Sequence, residues 1–308
     1  MKALVLCYDA LDRRWLPEMP MLSNLLAVTA MLNTRTPYLS TPVIWPALFS
    51  GATVEEVERR AHSSFQKPDG SFYGWADMPG QDWLWDRWNA SGLSVGVYHI
   101  PVATYPARSL NGWMASGCTT PMTSWSETND LRSIVIKHLP DDGWKTIARF
   151  ADPRDITEDT LRARREWLRV TTTNTLIAEV ASFLRMMDEY PVDCGIFYTQ
   201  FLDQIGHCYG TRREWIAEGY HLADATIKAL VDTLQPERWV VLSDHGMEPL
   251  PTPEVHQHPD GLWYVYHAAH SEGGFVGAGH DGWGLNGESI EVDQMLTRLA
   301  DLYQGVQQ

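Results

Sequence analysis

The sequence predicts an α/β fold in which helices cover both faces of a mostly parallel sheet. Three observations support this class: short apolar runs recur along the chain, longer helix-like segments separate them, and several runs end at or next to an aspartate. Strands that alternate with helices at this spacing are typical of layered α/β proteins. Strands of a parallel sheet are buried on both faces, so they appear as continuous apolar runs.

Five short apolar runs are predicted strands of one parallel sheet. In chain order they are KALVLCYD (2–9), LSVGVYHI (93–100), CGIFYTQF (194–201), RWVVLSD (238–244) and GGFVGAG (273–279).

The segments between the runs supply the predicted helices and an irregular part. The helices are one that follows Pro42, one or two within 159–190, one over 213–234 and one over 292–303. The stretches 60–92 and 105–158 lack a regular pattern and are rich in Gly, Pro and Trp, so we expect loops or a small cap there. Because no linker divides the chain, we expect a single domain over residues 1–308.

Composition limits the functional classes. The chain has 308 residues, of which 44% are hydrophobic and 20% charged, so it can build an ample core. A formal net charge of -15 argues against general nucleic-acid binding, which requires basic surface. A small phosphorylated substrate is compatible with this charge, because a bound metal can dominate the local field.

The cysteines and the N-terminus bear on the compartment. Cys7, Cys118, Cys194 and Cys208 show no C-x-x-C spacing, and two of them lie in predicted strands, which favours buried free thiols. In the opening MKALVLCYDA the apolar run is too short for a signal peptide, and an aspartate follows it at once. No apolar stretch reaches the roughly 18 residues that span a bilayer. We therefore expect a cytoplasmic protein that does not contact membranes.

Three aspartates stand at the ends of predicted strands. Asp9 and Asp244 are the last residues of the first and fourth runs, and Asp203 lies just beyond the third. In an open parallel sheet the carboxyl ends of the strands form the ligand-binding edge, where these carboxylates can converge. One aspartate after a strand is a common turn residue, so a single one carries little weight.

Three histidines accompany these aspartates. His207 comes one helical turn after Asp203, His245 directly follows Asp244, and His270 precedes the last predicted strand. Three carboxylates and three imidazoles are enough ligands for two cations. This chemistry suits zinc, manganese or iron better than calcium.

Four stretches carry a resemblance to a known family. They are MKALVLCYDALDRRWL, WLWDRWNASGLSVGVYHIPVATYPARSLNGWMASGCTTP, FLDQIGHCYG and LSDHGM. The sequence resembles the alkaline phosphatase superfamily, and within it the type I phosphodiesterase/nucleotide pyrophosphatase group, in particular its predicted phosphohydrolase/phosphomutase branch. The resemblance covers almost the whole chain. It implies a three-layer α/β/α sandwich with a mostly parallel central sheet and a small inserted cap.

The resemblance also implies a nucleophile. In the family it is a Thr or Ser ten residues before a glycine, which corresponds to Thr41 before Gly51, with Trp45 at a position that is commonly tryptophan. Pro42 suits the first helical position, so we expect Thr41 at the helix N-cap. An ordinary threonine cap is the alternative interpretation.

By the same resemblance two metal sites are implied. The first is assigned to Asp9, Thr41, Asp244 and His245, and the second to Asp203, His207 and His270. The last ligand is ambiguous, because His267 and His280 also flank the final predicted strand. In the family this ligand precedes the last strand and a glycine follows it, which selects His270, with His280 as second choice.

The predicted function is a two-metal phosphoric ester hydrolase that uses Thr41 and acts on phosphodiesters, including nucleotide pyrophosphates. Zinc is the first expectation for the metals and manganese the second. A phosphomonoesterase, a phosphonate hydrolase and a phosphomutase remain alternatives on the same core. A degenerate nucleotide- or phosphate-binding protein is the non-enzyme alternative. The run GATVEEVERRAHSS lacks the proline and His-Gly that the family usually has after this glycine, which bears on specificity.

Overall fold

The computed structural model describes residues 1–35, 37–62, 64–80, 82–116, 148–210, 212–257, 261–280 and 285–303. The strands in these residues are β1 (Ala3–Tyr8), β2 (Val28–Asn33), β3 (Val95–Tyr98), β4 (Gly112–Ala115), β5 (Ala148–Phe150), β6 (Cys194–Thr199), β7 (Arg238–Ser243), β8 (Gly246–Gln257), β9 (Trp263–Ser271), β10 (Gly274–Ala278) and β11 (Asn286–Glu291). The helices are α1 (Pro20–Leu25), α2 (Thr41–Ser50), α3 (Val54–Ala61), α4 (Leu84–Ala90), α5 (Glu158–Glu189), α6 (Phe201–Tyr209), α7 (Arg213–Leu234) and α8 (Met295–Ala300).

The central sheet has the strand order β11-β2-β10-β7-β1-β6-β3-β4. Its neighbours pair in parallel except at β10, which is antiparallel to both β7 and β2. The mostly parallel sheet is therefore confirmed, whereas the parallel direction expected for GGFVGAG is wrong. The chain leaves the carboxyl end of β7, forms the β8–β9 pair and returns to the same edge, so β10 has to run backwards.

Alternate residues of β1 enter two separate cores. Ala3, Val5 and Cys7 pack with α2, α4 and α8 on one face of the sheet, and Leu4, Leu6 and Tyr8 pack with α5, α6 and α7 on the other. All six side chains are fully buried. The period of two along a strand thus produces the three-layer α/β/α arrangement that the sequence predicts.

A second, three-stranded antiparallel sheet has the order β5-β9-β8. The apolar-run analysis missed all three of its strands, and also β2, β4 and β11. β8 contains Pro249, Pro251 and Pro253, and its pairing with β9 is irregular between Pro249 and Glu254. Prolines are tolerated there because β8 is an edge strand, where a missing N–H breaks no ladder on its outer side.

The long predicted helical segment is one helix, α5, of 32 residues. The hydroxyls of Thr171, Thr172 and Thr175 in its middle donate to main-chain carbonyls of the preceding turn, so these polar groups are satisfied within the helix. The prediction for 213–234 matches α7. The segment 292–303 begins with a short 3-10 turn, and only Met295–Ala300 is α-helical.

The two irregular stretches differ in how much of them is described. The stretch 60–92 contains the end of α3, a 3-10 turn at Trp75–Asp77 and α4. In the stretch 105–158, residues 117–147, and with them Cys118, lie outside the described residues. The single-domain organisation stays a prediction. Among the described helices, none combines the length and apolar composition needed to cross a bilayer.

Candidate active site

Three adjacent parallel strands, β6, β1 and β7, position the three aspartates. Asp9 directly follows β1, Asp244 directly follows β7, and Asp203 lies in the first turn of α6 just beyond β6. Because these carboxyl ends share one edge of the sheet, the carboxylates converge there. All three are buried, with exposures of 0, 0 and 3%.

Asp9, Asp244 and His245 form a first group of candidate ligands. His245 Nε2 lies 3.4 Å from Asp9 Oδ1 and 3.2 Å from Asp244 Oδ2. The other carboxylate oxygen of Asp9, Oδ2, accepts hydrogen bonds from Trp45 Nε1 at 3.2 Å and from the Tyr198 hydroxyl. These two donors fix the carboxylate so that Oδ1 faces the other two residues.

The three facing atoms of this group lack hydrogen-bond partners. Asp9 Oδ1, Asp244 Oδ2 and His245 Nε2 are buried, and none of them makes a hydrogen bond within the described part of the chain. Buried polar atoms are normally paired, so three unpaired ones at one point form a candidate cation site. Ligands about 2.0–2.1 Å from a tetrahedral zinc ion are about 3.3 Å apart, which the separations of 3.2 and 3.4 Å match.

Asp203, His207 and His270 form a second group. Asp203 Oδ1 lies 3.2 Å from Nε2 of each histidine, and the two Nε2 atoms are 3.0 Å apart. A carboxylate and two imidazoles at these separations also suit a transition-metal ion. His207 comes from α6, one turn after Asp203, whereas His270 comes from the end of β9.

All three histidines present Nε2 to the site because Nδ1 faces a main-chain carbonyl. A carbonyl only accepts, so Nδ1 carries the hydrogen and the neutral ring keeps a lone pair on Nε2. Such support of a ring nitrogen is typical of metal-binding histidines. The carbonyls belong to Ala268 for His207 at 2.9 Å, Gly246 for His245 at 3.1 Å, and Leu39 for His270 at 2.7 Å.

The two groups are adjacent. The rings of His245 and His270 stack with their centroids 3.8 Å apart, and ligand atoms of Asp203, His245 and His270 lie within 4.8 Å of one another. Burial lowers the pKa of His245 well below its ordinary value and keeps the ring neutral, which is the form that binds a metal.

Crowding of buried carboxylates dominates the electrostatics. Burial, reinforced by the charge of Asp203, raises the pKa of Asp9 to about 7. Burial and the charge of Asp9 raise the pKa of Asp244 well above its ordinary value. Burial alone would raise the pKa of Asp203 too, but His207 and His270 hold it well below its ordinary value. Divalent cations would relieve the repulsion between Asp9 and Asp244.

Thr41 lies between two segments that are tied to the groups. Two residues before it, the Leu39 carbonyl accepts from His270, and four residues after it, Trp45 donates to Asp9. Residues four apart share one face of a helix, so Thr41 and Trp45 face the same way at the start of α2. The Thr41 side chain is buried, with an exposure of 3%.

The start of α2 differs by one residue from the expectation. The N-cap is Ser40, whose side chain makes no capping hydrogen bond, and Thr41 is the first helical residue. Pro42 has no N–H, and the N–H of Val43 bonds to the Ser40 carbonyl. The first-turn amides therefore offer a phosphoryl group fewer donors than an ordinary helix start.

The other two histidines near the last strand lie apart from both groups. His267 Nε2 is 3.1 Å from Nη2 of Arg165. His267 and His270 are three positions apart along β9, so their side chains point to opposite faces of the sheet. His280 follows β10, whose antiparallel direction carries it to the amino end of β7, away from the aspartates. Of the three histidines, His270 is the one that lies beside Asp203 and His207, and its role as the last ligand stays a prediction.

Sequence reasoning missed Tyr198 as a partner of Asp9. In an apolar run a tyrosine predicts core packing, and only the pairing of β6 with β1 places it beside Asp9. Two polar residues in the longest of the four resembling stretches have structural partners. Arg108 pairs with Asp86 and lies over the Trp75 ring, and Asn111 donates its side-chain amide to the Leu93 carbonyl.

The family comparison gives one match. The sequence profile of the family described as "Type I phosphodiesterase / nucleotide pyrophosphatase" matches residues 51–268, which is 218 of the 308 residues. The matched range includes Asp203, His207, Asp244 and His245. Asp9, Thr41 and His270 lie outside it. A comparison with curated proteins finds no match.

Solved structures share the fold at low identity. Murine ectonucleotide pyrophosphatase/phosphodiesterase 5 has a TM-score of 0.57 at 12% identity, covering 99% of this chain and 95% of that chain. The human counterpart has a TM-score of 0.57 at 11% identity, with coverages of 99% and 95%. Phosphonoacetate hydrolase from Sinorhizobium meliloti has a TM-score of 0.55 at 10% identity, with coverages of 98% and 96%. The fold is alkaline-phosphatase-like, and the family match covers most of the sequence, so the chain belongs to the type I phosphodiesterase/nucleotide pyrophosphatase family, whose members are phosphoester hydrolases of the alkaline phosphatase superfamily.

Proposed function

We propose that the protein is a phosphodiesterase that requires two divalent metal ions and uses Thr41 as its nucleophile. The observation that carries the proposal is the convergence of two ligand groups at one edge of the sheet. Three of their buried polar atoms, on Asp9, Asp244 and His245, have no hydrogen-bond partner in the described residues. Family membership supports phosphoester chemistry at this edge.

The residues that would hold the metals follow the two groups. Asp9, Thr41, Asp244 and His245 would bind one ion, and Asp203, His207 and His270 the other. Bound there, the ions would lower the pKa of the Thr41 hydroxyl and neutralise charge that develops on the phosphoryl oxygens. The mixture of carboxylates and imidazoles favours zinc, with manganese second.

In the proposed reaction, Thr41 Oγ1 loses its proton and attacks phosphorus in line. The bond from phosphorus to the leaving oxygen breaks, and that oxygen takes up a proton. Water then attacks the phosphorylated threonine and restores its hydroxyl. Tyr198 and Trp45 support the reaction by holding Asp9 in one orientation. A nucleophilic threonine is supported by the murine relative, which has been solved as an inactive threonine-to-alanine variant in complex with AMP.

We propose small phosphodiesters, including nucleotide pyrophosphates, as substrates. The family description and the AMP complex of the murine relative support this class. Phosphonates are the second candidate, because the phosphonoacetate hydrolase was solved with phosphonoacetate on the same fold.

The test is a substrate panel on protein loaded with zinc or with manganese. We expect turnover of bis-p-nitrophenyl phosphate and dinucleotides to exceed turnover of p-nitrophenyl phosphate and phosphonoacetate. EDTA should abolish the activity, and added metal should restore it. Activity that is indifferent to EDTA would refute the two-metal proposal. Failure of metal-loaded protein to turn over any of these compounds would favour a binding protein.

We also propose a cytoplasmic location. Cys7 and Cys194 are free, buried thiols, which suits a reducing compartment. Cell fractionation tests this directly, and recovery outside the cytoplasm would contradict it.

A further inference from the structure

The chain leaves β1 through a tight turn in which one residue has an unfavourable conformation. The Leu11 N–H donates to the Tyr8 carbonyl at 3.2 Å, so Asp9 and Ala10 are the two central residues of a β-turn. Ala10, the second of them, has a φ of +59°. A positive φ at this position usually belongs to glycine or asparagine, because a Cβ atom disfavours it. Ala10 is therefore strained, and its surroundings have to maintain the strain.

This conformation directs the Ala10 N–H at a candidate metal ligand. The N–H donates to Oδ1 of Asp244 at 3.3 Å, whereas Oδ2 of Asp244 faces His245 at 3.2 Å. In an ordinary type I turn, the peptide between Asp9 and Ala10 would be flipped, and its N–H would point away from Asp244. The strained turn thus fixes the rotation of this carboxylate, and a donated hydrogen bond also favours its charged form.

The Tyr220 side chain, from α7, binds the other side of Ala10. Its hydroxyl donates to the Ala10 carbonyl at 3.1 Å and accepts from the Asp12 N–H at 3.0 Å. The tyrosine is itself well fixed, since it is 3% exposed and its ring stacks on Trp15 with the centroids 5.3 Å apart. Because the Ala10 N–H bonds to Asp244 and its carbonyl bonds to Tyr220, the conformation of Ala10 is constrained from both sides.

Asp12 connects the same loop to the chain that follows His245. Oδ2 of Asp12 accepts from the Met247 N–H at 3.3 Å. Gly246 permits this approach, because a Cβ atom at its position would lie 2.7 Å from that oxygen. The loops after β1 and β7 are therefore tied to each other at two points, and the Tyr220 hydroxyl bonds to the main chain of the first loop at both.

We propose that Tyr220 is a positioning residue for the ion of the first group: its hydroxyl keeps Ala10 in the left-handed conformation, and Ala10 keeps Asp244 turned toward the ion. The inference rests on the proposed function, because it presupposes a metal at Asp9, Asp244 and His245. It adds to that function a residue of α7, a helix to which neither metal site was assigned.

The size of the effect depends on the restraints that remain without the hydroxyl. Loss of a partner that orients a metal ligand typically lowers metal affinity by about 10–100-fold. Tyr220 acts one step further away, and in Tyr220→Phe the Leu11 N–H still bonds to the Tyr8 carbonyl, so part of the turn stays fixed. We therefore expect Tyr220→Phe to weaken one of two zinc-binding steps by about three- to tenfold and to leave the other unchanged.

Ala10→Gly distinguishes this role from a purely structural one. Glycine adopts a positive φ about as readily as a negative one, so the turn no longer needs the hydroxyl to maintain it. In the Ala10→Gly background, Tyr220→Phe should therefore lower the zinc affinity by no more than about twofold, which is the coupling expected of two residues that act together. A hydroxyl that only stabilises the fold would not show this rescue.

Competition with a chromophoric chelator measures the zinc affinity of the wild type, Tyr220→Phe, Ala10→Gly and the double variant, and melting curves confirm that each is folded. Tyr8→Phe is the matched control. It removes another buried tyrosine hydroxyl that bonds to α7, at Thr226, in a bond that does not involve Ala10. This control should keep the wild-type zinc affinity in both backgrounds.

The outcomes separate this inference from the proposed function. A zinc affinity that falls in Tyr220→Phe and is restored by Ala10→Gly would support it. If the wild type binds zinc but Tyr220→Phe binds it equally tightly, loses equal affinity in both backgrounds, or loses no more than Tyr8→Phe, the inference is wrong and the proposed function stands. A wild type that binds no zinc would overturn both.

Discussion

Replacing Tyr198 with phenylalanine should weaken metal binding at the first ligand group without changing any ligand. The Tyr198 hydroxyl and Trp45 Nε1 both donate to Oδ2 of Asp9, which leaves Oδ1 facing His245 and Asp244. Without the hydroxyl, the carboxylate loses a donor that stabilises its charged form and fixes its rotation. The pKa of Asp9, already raised by burial to about 7, should rise further, so protons should compete better with the metal at neutral pH.

The size of the effect follows from that one hydrogen bond. A hydrogen bond to a charged group contributes about 1.5–3 kcal/mol, and about 1.4 kcal/mol corresponds to a factor of ten in an equilibrium constant. Metal affinity should therefore fall by about ten- to a hundredfold, in the range typical for partners of metal ligands. Trp45→Phe removes the second donor and should act in the same direction.

Competition with a chromophoric chelator measures the zinc affinity of each variant. Tyr8→Phe is the matched control: this tyrosine is also buried, precedes Asp9 in the chain and bonds to Thr226 Oγ1 at 2.8 Å. It should lose about 1 kcal/mol of stability and keep its zinc affinity. Equal zinc affinities for Tyr198→Phe and the wild type, or equal losses in Tyr198→Phe and Tyr8→Phe, would refute this account of Asp9.

Two further predictions concern the last histidine and a buried acid. His270→Ala should lose at least one metal and at least about a hundredfold in activity, whereas His280→Ala should change both only slightly. Metal analysis and turnover rates of both variants test this, and larger losses in His280→Ala than in His270→Ala would show that the ligand is misplaced. Burial raises the pKa of Glu179 from 4.5 to about 7, so the folded state keeps a proton that the unfolded state releases, and stability should fall as pH rises from about 4.5 to about 7. Glu179→Gln should remove that fall, and at pH 8 its free energy of unfolding should exceed the wild-type value by on the order of 2 kcal/mol, a figure reduced to allow for the partial exposure of Glu179. Urea unfolding at several pH values measures this, and parallel pH profiles for the two proteins would contradict it.

The sequence predicts the fold class and most residues of the candidate site because both depend on local patterns. The five apolar runs each contain a strand of the central sheet, since burial on both faces requires continuous apolar residues. Asp9 and Asp244 end such runs, and His207 is one turn after Asp203, so their convergence follows once the strands are parallel neighbours. These relations need no knowledge of distant contacts.

The parts that could not be predicted depend on long-range pairing. An apolar run has no direction, so the antiparallel course of β10 appears only when the excursion through β8 and β9 is known. The prolines of β8 argue against a strand, although an edge position tolerates them. Ser40 and Thr41 are both good capping residues, so the sequence does not distinguish a helix that begins after Ser40 from one that begins after Thr41.

The proposal that Thr41 is the nucleophile is tested most directly by the turnover rate of Thr41→Ala on the best substrate of the panel, measured with both metals loaded. Ser40→Ala, which changes the neighbouring N-cap, is the control. We expect Thr41→Ala to lose at least about three orders of magnitude in kcat, Thr41→Ser to fall between it and the wild type, and Ser40→Ala to stay near the wild type. If Thr41→Ala melts earlier, by about 1 kcal/mol of stability, yet turns over at the wild-type rate, Thr41 is a structural residue at a helix start and the account is wrong.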